Sequence, residues 1–398
     1  MSSLDIYDNK RILIWGYGRE GRSTEAFLKG HCSPACIDVF EGERDGIDES
    51  RYDLIIKSPG IVMDEDNDKY TSQTQIFLEH FRNNTIGITG TKGKSTTSAL
   101  MHHVLSAAGK KTILLGNIGK PCLDYYDEID KDTIVVFEMS CHQLAHVTVS
   151  PHIAVFLNLY EEHLDYYKTL DRYFAAKERI TKFQKSGDHL FVGENVPAID
   201  TAASVSLIRA ADAPSFDLRI LGHHNDLNAY FVYRIATELF DVKDPLIRRA
   251  LSEFAPLPHR LQFIGSRDGI DFYDDSISTI PSATIEALEA VPNAGTVLIG
   301  GMDRGISYDT LIDFVNKHGE YKYIFSYDSG KRIFDSINKT PNCMYEQDLK
   351  AAVQKALSVT PPGYAVILSP ASASYGYFKN FEERGDVFCG LCGLEAQH

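Results

Sequence analysis

Ile86-Gly87-Ile88-Thr89-Gly90-Thr91-Lys92-Gly93-Lys94-Ser95-Thr96-Thr97 is the stretch on which the reading of this chain turns. A short apolar, β-branched run ends in a glycine-broken turn, and Ser98–Leu105 then has the pattern of a helix. Glycines let backbone N–H groups close around phosphate oxygens, and the N-terminus of the following helix adds favourable dipole charge. In such a loop Lys94 reaches the β- and γ-phosphates of a nucleotide and the Ser95 hydroxyl ligates Mg²⁺. The strict P-loop spacing fails, because the position five before Gly93 is Ile88 and not glycine. The turn is therefore a relative of that loop.

Outward from this point the chain keeps one rhythm, short apolar runs alternating with helix-length amphipathic segments. That is the pattern of parallel sheets wrapped by helices, an α/β fold. Strands are expected at Arg11–Trp15, Leu54–Lys57, Ile86–Thr89, Thr133–Phe137, Ile153–Leu157, Thr296–Ile299, Tyr323–Phe325 and Ala365–Leu368. With 398 residues the chain exceeds one ordinary domain of roughly 100 to 200 residues. Polar Arg82–Thr85 and the two prolines of Ala255–His259 mark boundaries, giving domains at 1–84, 85–256 and 257–398. The first and third are expected to be Rossmann-like, the second a mononucleotide-binding domain.

Composition narrows the function. A formal net charge of -15 disfavours a general nucleic-acid binder, which needs an excess of cations somewhere on its surface. Seven cysteines, an odd number spread along the chain, make no disulfide framework and suit a reducing cytoplasm. Cys389 and Cys392 form a C-x-x-C with neither a second pair nor flanking histidines, so a zinc or redox site is not expected there. No basic leader with an apolar core opens the sequence and no run of 18 apolar residues occurs, so neither export nor a membrane anchor is expected.

Two further features carry chemistry. Glu138 follows the strand Thr133–Phe137, at the C-terminal edge of a parallel sheet where ligands collect, and is a candidate Mg²⁺ ligand. Gly16-Tyr17-Gly18-Arg19-Glu20-Gly21 follows the strand Arg11–Trp15, with Asp38 about 20 residues on, which formally satisfies a dinucleotide fingerprint. A nicotinamide-dependent dehydrogenase would explain this turn and nothing after residue 84.

The run Thr89–Thr96 resembles the ATP loop of the Mur ligase family, and further matches follow in order. They are Gly116-Asn117-Ile118-Gly119, Glu138–Leu144, Asn158 with Glu162-His163-Leu164-Asp165, Ala175-Ala176-Lys177, Gly222–Asn225 with Asn228, and Pro258-His259-Arg260. Leu368–Ser374 with Asn380-Phe381 and Arg384-Gly385 is similar to the glutamate-adding branch of that family.

The resemblance implies an ATP-dependent ligase that adds glutamate, D-glutamate in the standard case, to UDP-N-acetylmuramoyl-L-alanine through an acyl-phosphate. It implies a cytoplasmic monomer with small-molecule partners only. Lys94, His163 and Lys177 become the catalytic set; Gly90, Thr91, Gly93, Lys94, Ser95, Thr96, Asn225, Asn228, Arg260 and Asp275 face ATP. Ser95 and Glu138 hold one Mg²⁺, while His163 and Lys177, the latter carbamylated by CO₂, hold a second. Gly18, Arg19, Glu20, Ser58, Pro59, Gly60, Asn117, Ser140 and Gln143 serve the UDP substrate, and Arg304, Ser374 and Phe381 the amino acid. One departure stands out: Asp275-Ser276-Ile277-Ser278-Thr279 has Ile277 where the family pattern carries lysine, which opens the choice of amino acid, including L-glutamate. A non-catalytic UDP-sugar-binding protein is the rival of a different class, and intact Lys94, Glu138, His163 and Lys177 argue against it.

Overall fold

The computed structural model describes residues 4–63, 67–117, 119–162, 164–222 and 224–395. Three sheets follow one another along the chain. The first has the order β2-β1-β3-β4, from β1 (Arg11–Trp15), β2 (Cys36–Phe40), β3 (Leu54–Lys57) and β4 (Tyr70–Thr71), all parallel. The second is β10-β9-β8-β5-β7-β6, from β5 (Thr85–Thr89), β6 (Thr112–Gly116), β7 (Ile134–Glu138), β8 (Ile153–Phe156), β9 (His189–Gly193) and β10 (Ser204–Ile208), again all parallel. The third combines β11 (Gln262–Arg267), β12 (Ile270–Asp274), β13 (Ala294–Ile299), β14 (Lys322–Phe325), β15 (Cys343–Tyr345) and β16 (Ala365–Leu368) in the order β11-β12-β16-β13-β14-β15. There only β11 is antiparallel to its neighbour. The α/β architecture read from the apolar rhythm is the one observed.

These sheets lie one in each of the segments 1–84, 85–256 and 257–398, yet the chain packs as two compact units. One comprises 1–217 with 226–252, the other 218–225 with 253–398. The first two sheets share a unit because the helix Gln73–Phe81 is apolar enough to belong to both. Its Ile76, Phe77 and Leu78 are wholly buried in one cluster with Ile12 and Phe27 on one side and Phe137, Phe156 and Ile180 on the other. Phe77 meets Phe137 edge-on at 5.4 Å between ring centres.

In the second sheet β5 lies between β7 and β8, so the connections leaving these strands diverge and open a crevice at their C-terminal ends, where open α/β sheets bind ligands. The helix after β5 runs Lys94–Ala107, four residues earlier than its apolar pattern suggests. Gly93, at φ +81°, ends the turn, and Thr97 N–H closes the first bond on its carbonyl at 2.9 Å. Lys94 and Ser95 thus belong to the first helical turn.

Candidate active site

The turn after β5 is held from across the crevice. Asn158, just past β8, accepts from the N–H groups of Thr91 and Lys92 on its Oδ1 at 3.1 and 2.9 Å, and donates to the Lys92 carbonyl at 3.1 Å. Its own carbonyl accepts from Thr91 N–H at 3.0 Å. A Cβ on Gly93 would come within 2.5 Å of Asn228 Oδ1, so glycine is required by space as well as by φ.

Two ammonium groups converge on one oxygen. Lys94 Nζ donates to Gly90 O at 3.0 Å and Thr91 O at 2.8 Å, and Lys177 Nζ donates to the same Gly90 O at 2.7 Å. Lys177 lies in the helix Leu170–Lys182, on the face carrying Tyr173, Ala176, Ile180 and Thr181, so helical spacing buries it with its apolar neighbours. Burial above all, then the nearby charge of Lys94, pushes its amine down to about 7. The Tyr173 ring lies 4.7 Å from the ammonium.

Glu138 ends β7 with no exposed surface. Its Oε1 accepts from Asn117 Nδ2 at 2.8 Å, and Asn117 N–H bonds the Glu138 carbonyl at 2.9 Å; among the described residues its Oε2 has no hydrogen-bond partner. A buried carboxylate oxygen left unpaired is costly. A cation seated there would remove that cost, so the donor set fits Mg²⁺. Asn117 thus supports the carboxylate. His163 lies outside the described residues, as do the motif positions Ile118 and His223; among the described residues no cluster of three metal-ligating side chains forms.

Several of the residues read as serving the UDP substrate meet in the same unit. Gly18 caps the helix Arg19–His31. Glu20 Oε1 accepts from Gln143 Nε2 at 3.0 Å, and Gln143 Oε1 in turn accepts from Ser140 N–H and Oγ–H at 3.0 and 3.1 Å. Burial raises the Glu20 carboxyl, against the pull of Gln143 and Lys57. Ser58 Oγ donates to the Gly16 carbonyl at 2.9 Å, which ties the Ser58-Pro59-Gly60 loop to the glycine turn. Arg19 turns to the Gly119 carbonyl at 2.6 Å. Lys57, which leads into that loop, is 4% exposed, is pushed down to about 8 by burial, and donates to Ile61 O at 3.1 Å.

In the other unit the loops after β12, β13 and β16 leave three adjacent strands. Asp275 accepts from Leu261 N–H, Ser278 Oγ and Ser369 Oγ at 3.0, 2.5 and 2.8 Å, while burial pushes its carboxyl up to about 6. Three of its four acceptor sites are engaged within the fold. Arg304 Nη2 donates to Thr279 O at 3.2 Å, which brings a guanidinium to the loop where Ile277 replaces lysine. Ser374 is buried and Phe381 opens the helix Phe381–Leu391. Asn225, buried, donates to Leu221 O at 2.7 Å, and Asn228 lies three residues on in the same helix, His224–Phe240. Arg260 adjoins buried His259, whose Nδ1 is 2.7 Å from Asp274 Oδ2.

Residues 88–207 match the Mur ligase middle domain. The UDP-N-acetylmuramoylalanine–D-glutamate ligase of Streptococcus agalactiae serotype III (strain NEM316) is 31% identical, over 98% of both chains. The chain belongs to the Mur ligase family. An equally similar member, the UDP-N-acetylmuramoyl-L-alanine–L-glutamate ligase of Salinispora tropica (strain ATCC BAA-916 / DSM 44818 / JCM 13857 / NBRC 105044 / CNB-440), is 31% identical over 95% of this chain and 96% of its own. The fold is shared with the MurF ligase of Thermotoga maritima in complex with ADP, at a TM-score of 0.63 and 16% identity, over 86% of this Mur ligase and 88% of that one. No helix among the described residues is long and apolar enough to cross a membrane.

Proposed function

We propose that this Mur ligase uses ATP to join glutamate to UDP-N-acetylmuramoyl-L-alanine, a step in making peptidoglycan precursor. The observation that carries the reading is the crevice after β5, where Lys94 and Lys177 share the Gly90 carbonyl beside the half-paired carboxylate of Glu138. The Lys94 cation suits the oxygens of a transferring phosphoryl group, and a buried carboxylate with one oxygen unbonded suits the metal that accompanies it.

The substrate carboxylate attacks the γ-phosphorus and ADP leaves. The amine of the amino acid then attacks the acyl-phosphate carbon, and the tetrahedral intermediate collapses with loss of inorganic phosphate. Lys94 neutralises charge on the moving phosphoryl group, while Gly90, Thr91, Gly93 and Thr96 shape the turn that holds it. Mg²⁺ bound by Ser95 and Glu138 would supply further charge neutralisation. A second ion would use His163 and a carbamate on Lys177; a buried amine that is neutral above about pH 7 is suited to take up CO₂, releasing a proton. Segments 1–84, 85–256 and 257–398 then serve UDP, ATP and amino acid, with Asn225, Asn228, Arg260 and Asp275 completing the nucleotide's surroundings. The enzyme acts as a cytoplasmic monomer in this reading.

Ile277 and the Arg304–Thr279 contact favour a second reading for the amino acid, L-glutamate, the substrate in the Salinispora enzyme's name. Phosphate release with ATP, Mg²⁺, UDP-N-acetylmuramoyl-L-alanine and, in parallel, D-glutamate, L-glutamate and aspartate tests both. Release with D-glutamate alone supports the first reading and release with L-glutamate alone the second; no amino-acid-dependent release overturns both.

A further inference from the structure

Arg384 is among the largest fully buried side chains of the protein, 1% exposed, and it spends its hydrogen bonds on neutral groups. Nε donates to Ser276 Oγ at 3.0 Å, Nη2 to the Ser276 carbonyl at 2.7 Å and Nη1 to the Ser372 carbonyl at 3.0 Å. Ser276 Oγ passes its own proton on to the Phe381 carbonyl at 2.8 Å. A Cβ on Gly301 would meet Nη1 at 3.0 Å and the Ala373 carbonyl at 2.4 Å, so the loop after β13 reaches this guanidinium only as glycine. From the helix Phe381–Leu391 one side chain therefore bonds the loops after β12 and β16, and the loop after β13 packs against it at Gly301.

Burying a guanidinium among neutral acceptors costs stability, since an apolar filler of similar volume would avoid its desolvation. What the planar fork adds is fixed spacing between the loop after β12 and the loop after β16, the latter already joined to the loop after β13 by the Met302–Ala373 bridge. Those loops carry Arg304 and Ser374, and the helix carries Phe381, the residues read above as meeting the amino acid. We propose that Arg384 is a positioning residue for the amino-acid pocket, setting the separation of Arg304, Ser374 and Phe381 without touching the substrate. This rests on the ligase reading, and it separates the two half-reactions: the pocket matters to the amine's attack and not to formation of the acyl-phosphate.

The test compares full-length wild type with R384K, S276A and G301A. Acyl-phosphate made without amino acid is trapped by hydroxylamine, steady-state phosphate release is followed against the amino acid the wild type prefers, and melting temperature is recorded. For R384K the expected result is an amino-acid KM raised about tenfold or more, the loss of one to two charge-assisted bonds, with the ATP KM and hydroxamate yield within about twofold of wild type. S276A, which removes the hydroxyl and leaves its carbonyl, should move the amino-acid KM in the same direction by less, and G301A should share the signature. An unchanged amino-acid KM in all three, or an equal fall in both half-reactions, overturns the proposal. If R384K does not fold, S276A and G301A decide it alone. Wild type that forms no hydroxamate instead overturns the ligase reading.

Discussion

At the end of β7 the Glu138 carboxylate is buried with one oxygen unbonded, whereas just past β12 the equally enclosed Asp275 carboxylate accepts three hydrogen bonds. The cations differ in the same way. Lys94 and Lys177 crowd one carbonyl oxygen, while Arg384 has three separate bonds to three loop acceptors. The crevice of the second sheet holds charge that its own fold leaves incompletely compensated, as a site for ions and phosphate does. The loops of the third sheet use charge to hold one another.

The largest effect expected from this contrast is on turnover. K94M should lower kcat by on the order of 10³, the scale seen when a charge-stabilising donor is lost, measured as phosphate release with saturating substrates. A loss under tenfold would detach Lys94 from the chemistry. Next, stability should respond in opposite senses to two like substitutions. D275N should destabilise by roughly 2 to 3 kcal/mol at pH 7, because an amide nitrogen would face donors that now bond a carboxylate oxygen. E138Q, which removes an incompletely bonded charge, should leave the metal-free protein as stable as wild type or more so, while lowering kcat about 100-fold and raising the Mg²⁺ needed. Urea melts of both that shift equally downward would erase the distinction.

Lys177 supplies a pH test. Its folded amine titrates near 7 and an unfolded lysine near its ordinary value, so across that window the unfolded chain binds more protons and stability rises with pH. The penalty is therefore full below pH 7 and vanishes above the unfolded value. In CO₂-free buffer K177M should melt above wild type by most at pH 7 and below, with the gap narrowing towards pH 10. A gap that widens with pH would contradict the burial argument. The smallest effect is on the other side of the comparison: I277K should lower the amino-acid KM about three- to tenfold if the pocket lacks a cation, the range of one charged hydrogen bond partly exposed. No change would mean that Arg304 already meets the need.

Much of this could be read from residues alone because it is local. The β-branched run Thr85–Thr89, the glycine turn and the helix behind it follow from backbone preferences within a dozen positions, and the alternation of such units dictates parallel sheets. The ordered motifs single out Lys94, Glu138 and Lys177 by residue type and spacing. The helix beginning at Lys94 was hidden, because Thr96 and Thr97 give no apolar period and only the conformation of Gly93 marks the start.

Tertiary structure decided what the charges do. Asn158 holds a turn 66 residues away, Gln143 reaches Glu20 across 123 positions, and Arg384 bonds a loop 108 residues away. No local pattern encodes those partners. The depressed amine of Lys177, the open oxygen of Glu138 and the three-bonded carboxylate of Asp275 all depend on desolvation and on groups brought in by distant strands. Sequence specifies which residue types are present and how the backbone runs locally; only the folded chain sets which buried charges are satisfied, because burial and pairing depend on the whole surrounding volume.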